Sequence, residues 1–191
     1  IESAPTSLAA GASGIIVLRV KAPKNLDAID TSFVAKAFKV GSIRFKATAT
    51  DPLTLIATPI TSALKDINMQ RKNQLTIDTV KWRIRGKTQT ADEDSDEVED
   101  VKPGDQVRIE FEIENEFGDN DNVDVEDVEF NVKSLDNDLD LDEDEDLGDV
   151  GADDTESGSF EFDIDEDTND GSFDVEITLL GKDDFGARHG E

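Results

Sequence analysis

From Gln106 to Glu114 every second residue is apolar: Val107, Ile109, Phe111 and Ile113 fall on one face, and Arg108, Glu110, Glu112 and Glu114 on the other. A period of two predicts a half-buried β-strand. Leu75–Ile84 (LTIDTVKWRI) alternates in the same way, with Leu75 and Ile77 in one phase and Val80, Trp82 and Ile84 in the next. The change of phase at Asp78–Thr79 predicts a β-bulge or a crossing between sheets, and Trp82 is assigned to the core. Val123–Val132 reads as a strand with a second phase change at Glu126–Asp127. Phe160, Phe162 and Ile164 mark another strand, and Gly171 opens a last one over Ser172–Leu180, with Phe173, Val175, Ile177 and Leu179 inward. About five strands separated by turn signals make an antiparallel β-sandwich. Between them, Ala91–Asp100 and Asn115–Asn122 read as loops. Ser134–Ser157 reads as a long acidic connection anchored by Leu135, Leu139, Leu141 and Leu147, and Lys182–Glu191 as a tail.

The preceding residues are less regular. Ile1–Gly14 is small and polar, the composition of a flexible arm. Ile15–Val20 (IIVLRV) is an apolar, β-branched run that predicts a buried strand. Lys21–Asp30 contains Pro23 and reads as a turn region, and Thr31–Val40 fits helix or strand alike. Ser42–Thr48 alternates, Asp51–Pro52 punctuates, and Leu53–Thr58 follows, which predicts a hairpin. Thr61–Gln70 fits a short helix capped by Thr61 or Ser62. The expected fold class is all-β: a flexible arm over residues 1–14, a basic β-rich domain over 15–74, and a strongly acidic domain over 75–191. The two domains are read as small immunoglobulin-like sandwiches.

Charge changes this picture most. The 191 residues carry a formal net charge of −28, unevenly: residues 1–90 hold 14 Lys/Arg and 6 Asp/Glu, and residues 91–191 hold 5 and 41. Charge of one sign opposes compaction. Acidic outer strand faces need neutralising partners, because like charges directly opposite across strands are unfavourable. Opposite halves on one chain predict contact between them, within a molecule or head to tail between molecules; the latter, if it does not close, builds a filament or lattice. There is no cysteine and no tyrosine, and the single histidine, His189, stands close to the end of the sequence. Thiolate chemistry and disulfides are thereby excluded, and few catalytic nucleophiles or bases are left. No 18-residue apolar stretch is present to form a membrane-spanning helix. The sequence begins at Ile1 rather than Met, which removal of a secretory signal peptide or other trimming of the chain would explain; the signal peptide is the expectation.

Val101-Lys102-Pro103-Gly104-Asp105 followed by Val107-Arg108-Ile109-Glu110-Phe111-Glu112-Ile113-Glu114-Asn115 resembles the turn and first long strand of CARDB-type immunoglobulin-like modules. Val123–Val132, Ser159–Ile164 and Gly171–Ile177 resemble the later strands, and Gly181–Gly186 the close of the module. The acidic version is similar to repeats in surface-layer proteins of small-genome archaea. The resemblance covers Leu75–His189 and implies extracellular adhesion or lattice building without catalysis; the first 74 residues resemble no named family.

Two acidic runs offer oxygen ligands for Ca²⁺, which takes six to eight. One is Asp119, Asp121 and Asp124, with Asn120 and Asn122; the other is Asp136, Asp138, Asp140, Asp142 and Asp144, with Asn137 and Asp146. Neither matches an EF-hand loop, since the glycine at its sixth position is missing. Asp163, Asp165 and Asp167 form a third, weaker run. Diffuse counterion binding by a solvated acidic surface is the plainer alternative. The basic cluster Arg71, Lys72, Lys81, Arg83, Arg85 and Lys87 suits a dock for the acidic half better than nucleic acid, which the covalently attached acid repels. The arm and Ile15–Val20 together suggest donation of a strand to a neighbour's sheet edge. The resulting expectation is a secreted or cell-surface structural protein, not an enzyme, that polymerises with copies of itself with Ca²⁺ neutralising its acidic domain. Its rivals are a monomeric Ca²⁺-dependent adhesion module and a viral coat or tail protein.

Overall fold

The structure, a computed structural model, describes residues 1–91, 97–136 and 139–191. It is all-β. Its strands are β1 (Phe38–Ile43), β2 (Lys46–Thr50), β3 (Ala57–Thr61), β4 (Lys65–Met69), β5 (Leu75–Ile84) and β6 (Lys87–Ala91). They continue with β7 (Gln106–Asn115), β8 (Val125–Ser134), β9 (Asp142–Val150), β10 (Thr155–Asp163), β11 (Val175–Asp183) and β12 (Arg188–Gly190). Among the described residues, no helix is long and apolar enough to cross a membrane. The chain divides into two compact units, one of residues 1–24 and 39–69, the other of residues 25–38 and 70–191.

The second unit contains two four-stranded sheets, β10-β7-β5-β6 and β12-β11-β8-β9, which share one apolar core. β7 alternates along its whole length as its sequence requires, burying Val107, Ile109, Phe111 and Ile113. From the other sheet, β8 presents Val125, Val128, Phe130 and Val132. The rings of Phe111 and Phe130 join the two sheets, with centroids 3.7 Å apart and planes 2° from parallel, and Phe160 completes the cluster. Each fully buried Val, Ile, Leu or Phe contributes about 1.5–3 kcal/mol relative to exposure.

Both expected bulges are present. The β5–β7 register shifts between Ile77 and Thr79. The β8–β9 register shifts between Val125 and Val128, where Asp127 has φ 51°. Trp82 lies in the core. Lys102–Asp105 is a type II turn, with Pro103 at its second position, Gly104 at φ 82° and Asp105 N–H donating to the Lys102 carbonyl at 3.0 Å.

Several expectations need correction. Ser134–Ser157 is not one long connection, because Asp142–Val150 forms edge strand β9. Its core-side positions hold Glu143 and Glu145, opposite Val132 and Phe130, so no apolar alternation announces it. Lys182–Glu191 is not a tail: it ends β11 and forms β12, with His189 fully buried. Residues 25–38 do not belong with the basic domain, because Ala28 and Ile29 are buried in the second unit. There, Ala28 N–H donates to the Arg188 carbonyl at 2.9 Å, and Asp27 pairs with Arg188 at 3.1 Å.

In the first unit, Asp51-Pro52 begins the connection of a hairpin as expected, but the paired strands are β2 and β3, with Thr50 opposite Ala57. No helix forms between Thr61 and Gln70. Lys65–Met69 pairs with β1 instead, and Asp66 holds Lys39 at 2.9 Å and the Ser42 hydroxyl at 2.8 Å. Tertiary pairing has overridden a weak local preference. Ile15–Val20 is not a buried strand: only Val17 is bridged, to Ser3, and Ile15 is 83% exposed. No residue of this unit is buried.

Asn115 closes β7 and holds three chain segments. Its side-chain amide donates to the carbonyls of Val123 (3.1 Å), Val150 (3.0 Å) and Gly151 (3.0 Å), and its side-chain oxygen accepts from Phe117 N–H at 3.1 Å. Replacing it with alanine orphans buried carbonyls. Asn115→Ala should therefore lower unfolding free energy by about 2–4 kcal/mol in urea titration, against well under 1 kcal/mol for Asn169→Ala in an exposed loop.

Candidate functional site: the acidic surfaces and a buried ion cluster

A strand places alternate residues about 6.6 Å apart on one face, and this governs what the acidic runs can do. Asp142 and Asp144 occupy the outer face of edge strand β9, opposite Lys133 and Asn131. The Lys133 ammonium stands 3.4 Å from Asp142. Asp146 faces Glu129, a like-charged pair. Asp140 is exposed between the buried Leu139 and Leu141. Asp136 serves the backbone: its carboxylate accepts from Asp174 N–H at 2.9 Å, and its own N–H donates to the Ser134 hydroxyl at 3.1 Å. Asp138 lies outside the described residues.

Asp119, Asp121 and Asp124 are exposed on the loop between β7 and β8. Asp121 N–H donates to the Gly118 carbonyl at 2.8 Å. Asp124 and Asp154 flank Gly151, so the β7–β8 and β9–β10 loops bring carboxylates to the same end of the unit. Among the described residues, no three acidic or histidine side chains converge as a group that could hold a metal ion.

The outer sheet faces are less uniformly acidic than their β7 pattern suggested. Lys81 and Arg83 of β5 stand opposite Glu110 and Arg108 of β7. Arg83 reaches Glu110 at 2.8 Å, and Arg108 reaches Glu110 at 3.2 Å and Glu161 at 3.0 Å. Arg85 binds Asp105 at 3.2 Å, and Lys72 binds Glu116 at 2.6 Å. Part of the basic cluster expected to dock acid therefore does so inside the second unit. Exposed pairs of this kind contribute little each, about 0–1 kcal/mol, but they interrupt rows of like charge.

The most enclosed polar group was not legible from sequence. Asp183 and His189 are both inaccessible, and the Arg71 guanidinium meets Asp183 at 2.5 Å. The other Asp183 oxygen accepts from the N–H groups of Phe185 and Ala187, each at 2.9 Å, which shapes the β11–β12 turn. His189 Nδ1 accepts from Gln74 N–H at 3.2 Å, so the proton sits on Nε2, 3.6 Å from Asp183. Phe117 packs edge-on against the imidazole at 5.3 Å and under the Arg71 guanidinium at 5.6 Å. Burial pushes His189 down to about 4, the Arg71 charge adds to the depression, and Asp183 only partly opposes it. With both atoms sealed from solvent, no substrate reaches this pair; the cluster joins the turn after β11 to the segment before β5. The one sequence signal was the single histidine, His189; nothing tied it to Asp183, one acid among 47, or to Arg71 more than 100 residues earlier.

The sign of its pH dependence follows from the depressed imidazole. Unfolded, His189 titrates near 6.5; folded, it stays neutral to about 4. Between these values the unfolded chain binds the extra proton, so stability is full above about pH 6.5 and falls as pH drops toward 4. His189→Gln should remove on the order of 2 kcal/mol of this acid-dependent loss, read as a flatter profile of thermal midpoint against pH.

The chain matches no family model, no curated protein and no solved structure.

Proposed function

We propose that this chain is a structural subunit of an extracellular surface layer or filament, built by self-association of a basic unit with an acidic one. One observation carries the reading: the first unit leaves its large apolar side chains uncovered. Leu53 is 92% exposed, Leu55 76% and Ile56 63%, and Ile60 and Leu64 are more than half exposed. Exposed apolar surface on this scale marks an interaction site. This unit holds 7 Lys/Arg and 3 Asp/Glu, against 12 and 44 in the other unit. The surface offered for contact and the rest of the molecule are thus opposite in charge, which favours docking between copies.

The second unit is read as the CARDB-like immunoglobulin-like module. Its sheet orders support this, since the chain crosses from one sheet to the other between β7 and β8, between β9 and β10 and between β10 and β11, as chains do in Greek-key sandwiches. Ca²⁺ enters as a neutralising counterion. The stripe of Asp142, Asp144 and Asp146 on β9, and the carboxylates gathered near Gly151, would concentrate divalent cations along an edge and a loop end. The role is architectural rather than enzymatic, and the place of action is the cell surface.

Electron microscopy of purified protein in millimolar Ca²⁺ and in chelator tests this reading. Ordered filaments or sheets that chelator dissolves are the expected outcome. Monomers in every condition would overturn self-assembly and favour a monomeric adhesion module. Leu53→Asp with Ile56→Asp should abolish assembly and shift the thermal midpoint of the second unit by less than about 2 °C, because neither side chain is packed.

A further inference from the structure

The two flanks of the paired sheets differ: β9 and β10 end their sheets on one, and β12 and β6 cover their neighbours only in part on the other. β11 pairs with β8 from Val175 to Asp183, but β12 covers its opposite edge only from Leu180 to Lys182. Leu179 and Glu191 then exchange both backbone hydrogen bonds, at 2.7 and 3.0 Å. Among the described residues, no strand pairs with the remaining edge, Val175–Thr178. Backbone groups face alternate sides along an antiparallel strand, so beyond Leu179 the outward groups are those of Ile177 and Val175. In the other sheet, β6 pairs with β5 over Val80–Ile84, and among the described residues Ile77 lies beyond that pairing, its N–H donating to the Glu191 carboxylate at 2.5 Å.

Beside these stretches lies a cavity of about 1460 Å³, lined in part by Ile77, Trp82, Phe162, Phe173, Val175 and Ile177. Phe173, Val175 and Ile177 are only partly buried against the core. Trp82 is 8% exposed, and among the described residues its indole N–H has no hydrogen-bond partner. Among the described residues, an unpaired sheet edge and an uncovered part of the core therefore coincide, and one short apolar strand would satisfy both.

The first unit contains a segment of that kind. Ile15–Val20 has strand composition, yet its backbone ties are confined to Val17, bonded to Glu2 and Ser3. Extended, it places Ile16, Leu18 and Val20 on one face, and spans about 20 Å against about 13 Å for Val175–Thr178. Arg19, Lys21 and Lys24 follow or interrupt it, and the cavity rim carries Asp78, Glu99, Asp100, Asp170 and Asp174.

We propose that Ile15–Val20 of a second copy adds as a strand to the Val175–Ile177 edge of β11 and places Ile16, Leu18 and Val20 in the cavity. The proposal rests on the self-assembly reading and specifies its contact. Release from the arm costs the few backbone bonds at Val17 and the exposed Arg19–Glu2 ion pair, and the added strand replaces the backbone bonds along the edge of β11.

The absence of native cysteine makes the test direct. Full-length Ile16→Cys and Val175→Cys chains are mixed under mild oxidation, beside a control mixture of Ile16→Cys with Glu156→Cys on β10, at the opposite flank. The expected result is about ten-fold more mixed disulfide dimer in the first mixture, since a disulfide requires Cα atoms within roughly 7 Å. A chain carrying both Ile16→Cys and Val175→Cys should give a ladder of oligomers. In parallel, hydrogen exchange at Val175 and Ile177 should be slow in assembled wild type and fast in Ile16→Asp/Leu18→Asp. Equal cross-linking in both mixtures, or closure of the doubly substituted chain on itself as a monomer, overturns the proposal. Assemblies visible by microscopy without the selective cross-link overturn strand donation and leave self-assembly standing; neither assemblies nor cross-link overturns both.

Discussion

The governing constraint is electrostatic: 44 carboxylates belong to a unit with 12 Lys/Arg, and that unit must still close two sheets over one core. The fold meets it by placement. Where strands are paired on both sides, cations interrupt the acid, as in the run Arg83–Glu110–Arg108–Glu161 on one sheet. On the other sheet, Glu176, Lys133 and Asp142 form a row across β11, β8 and β9. The remaining acid is exported to loops and to edge strand β9, where water and counterions screen it. Burial of apolar side chains from β7 and β8 supplies the opposing drive, and the Phe111–Phe130 stack sits at its centre.

What sequence made legible follows the same division. β7 was readable because both its neighbours are strands and one of its faces is entirely core, so its alternation is strict. The bulges in β5 and β8 were readable because an inserted residue shifts the apolar phase, and the phase is visible in the sequence. β9 was unreadable because glutamates occupy its core-side positions. β4 was misread because a short polar segment takes its form from β1. The candidate ligands were legible as acidic runs but not as geometry: alternate aspartates diverge along a strand, whereas on a tight loop they can converge.

The Arg71–Asp183–His189 cluster was invisible for another reason. Its members come from segments more than 100 residues apart, and nothing local distinguishes Asp183 from 46 other acids. Breaking such a cluster is costly because a buried charge is left alone. Its value is as a joint: it fixes the turn after β11, and through that turn β12, whose backbone covers part of the β11 edge. Arg188–Asp27 and the buried Ile29 bring residues 25–38 to the same place.

The two flanks of the sandwich are consequently unlike. At one, β9 turns Glu143 and Glu145 toward the core side of its free edge, and Glu145 crowds against Gly158 of β10. Charge turned inward at a sheet edge repels an incoming strand. At the other, the free edge of β11 carries the apolar Val175 and Ile177 partly buried against the core, with Glu176 exposed between them. On the proposed strand addition, the accepting edge and the edge that repels a strand lie on opposite flanks of the sandwich. Growth by that route would have a direction and two distinguishable ends.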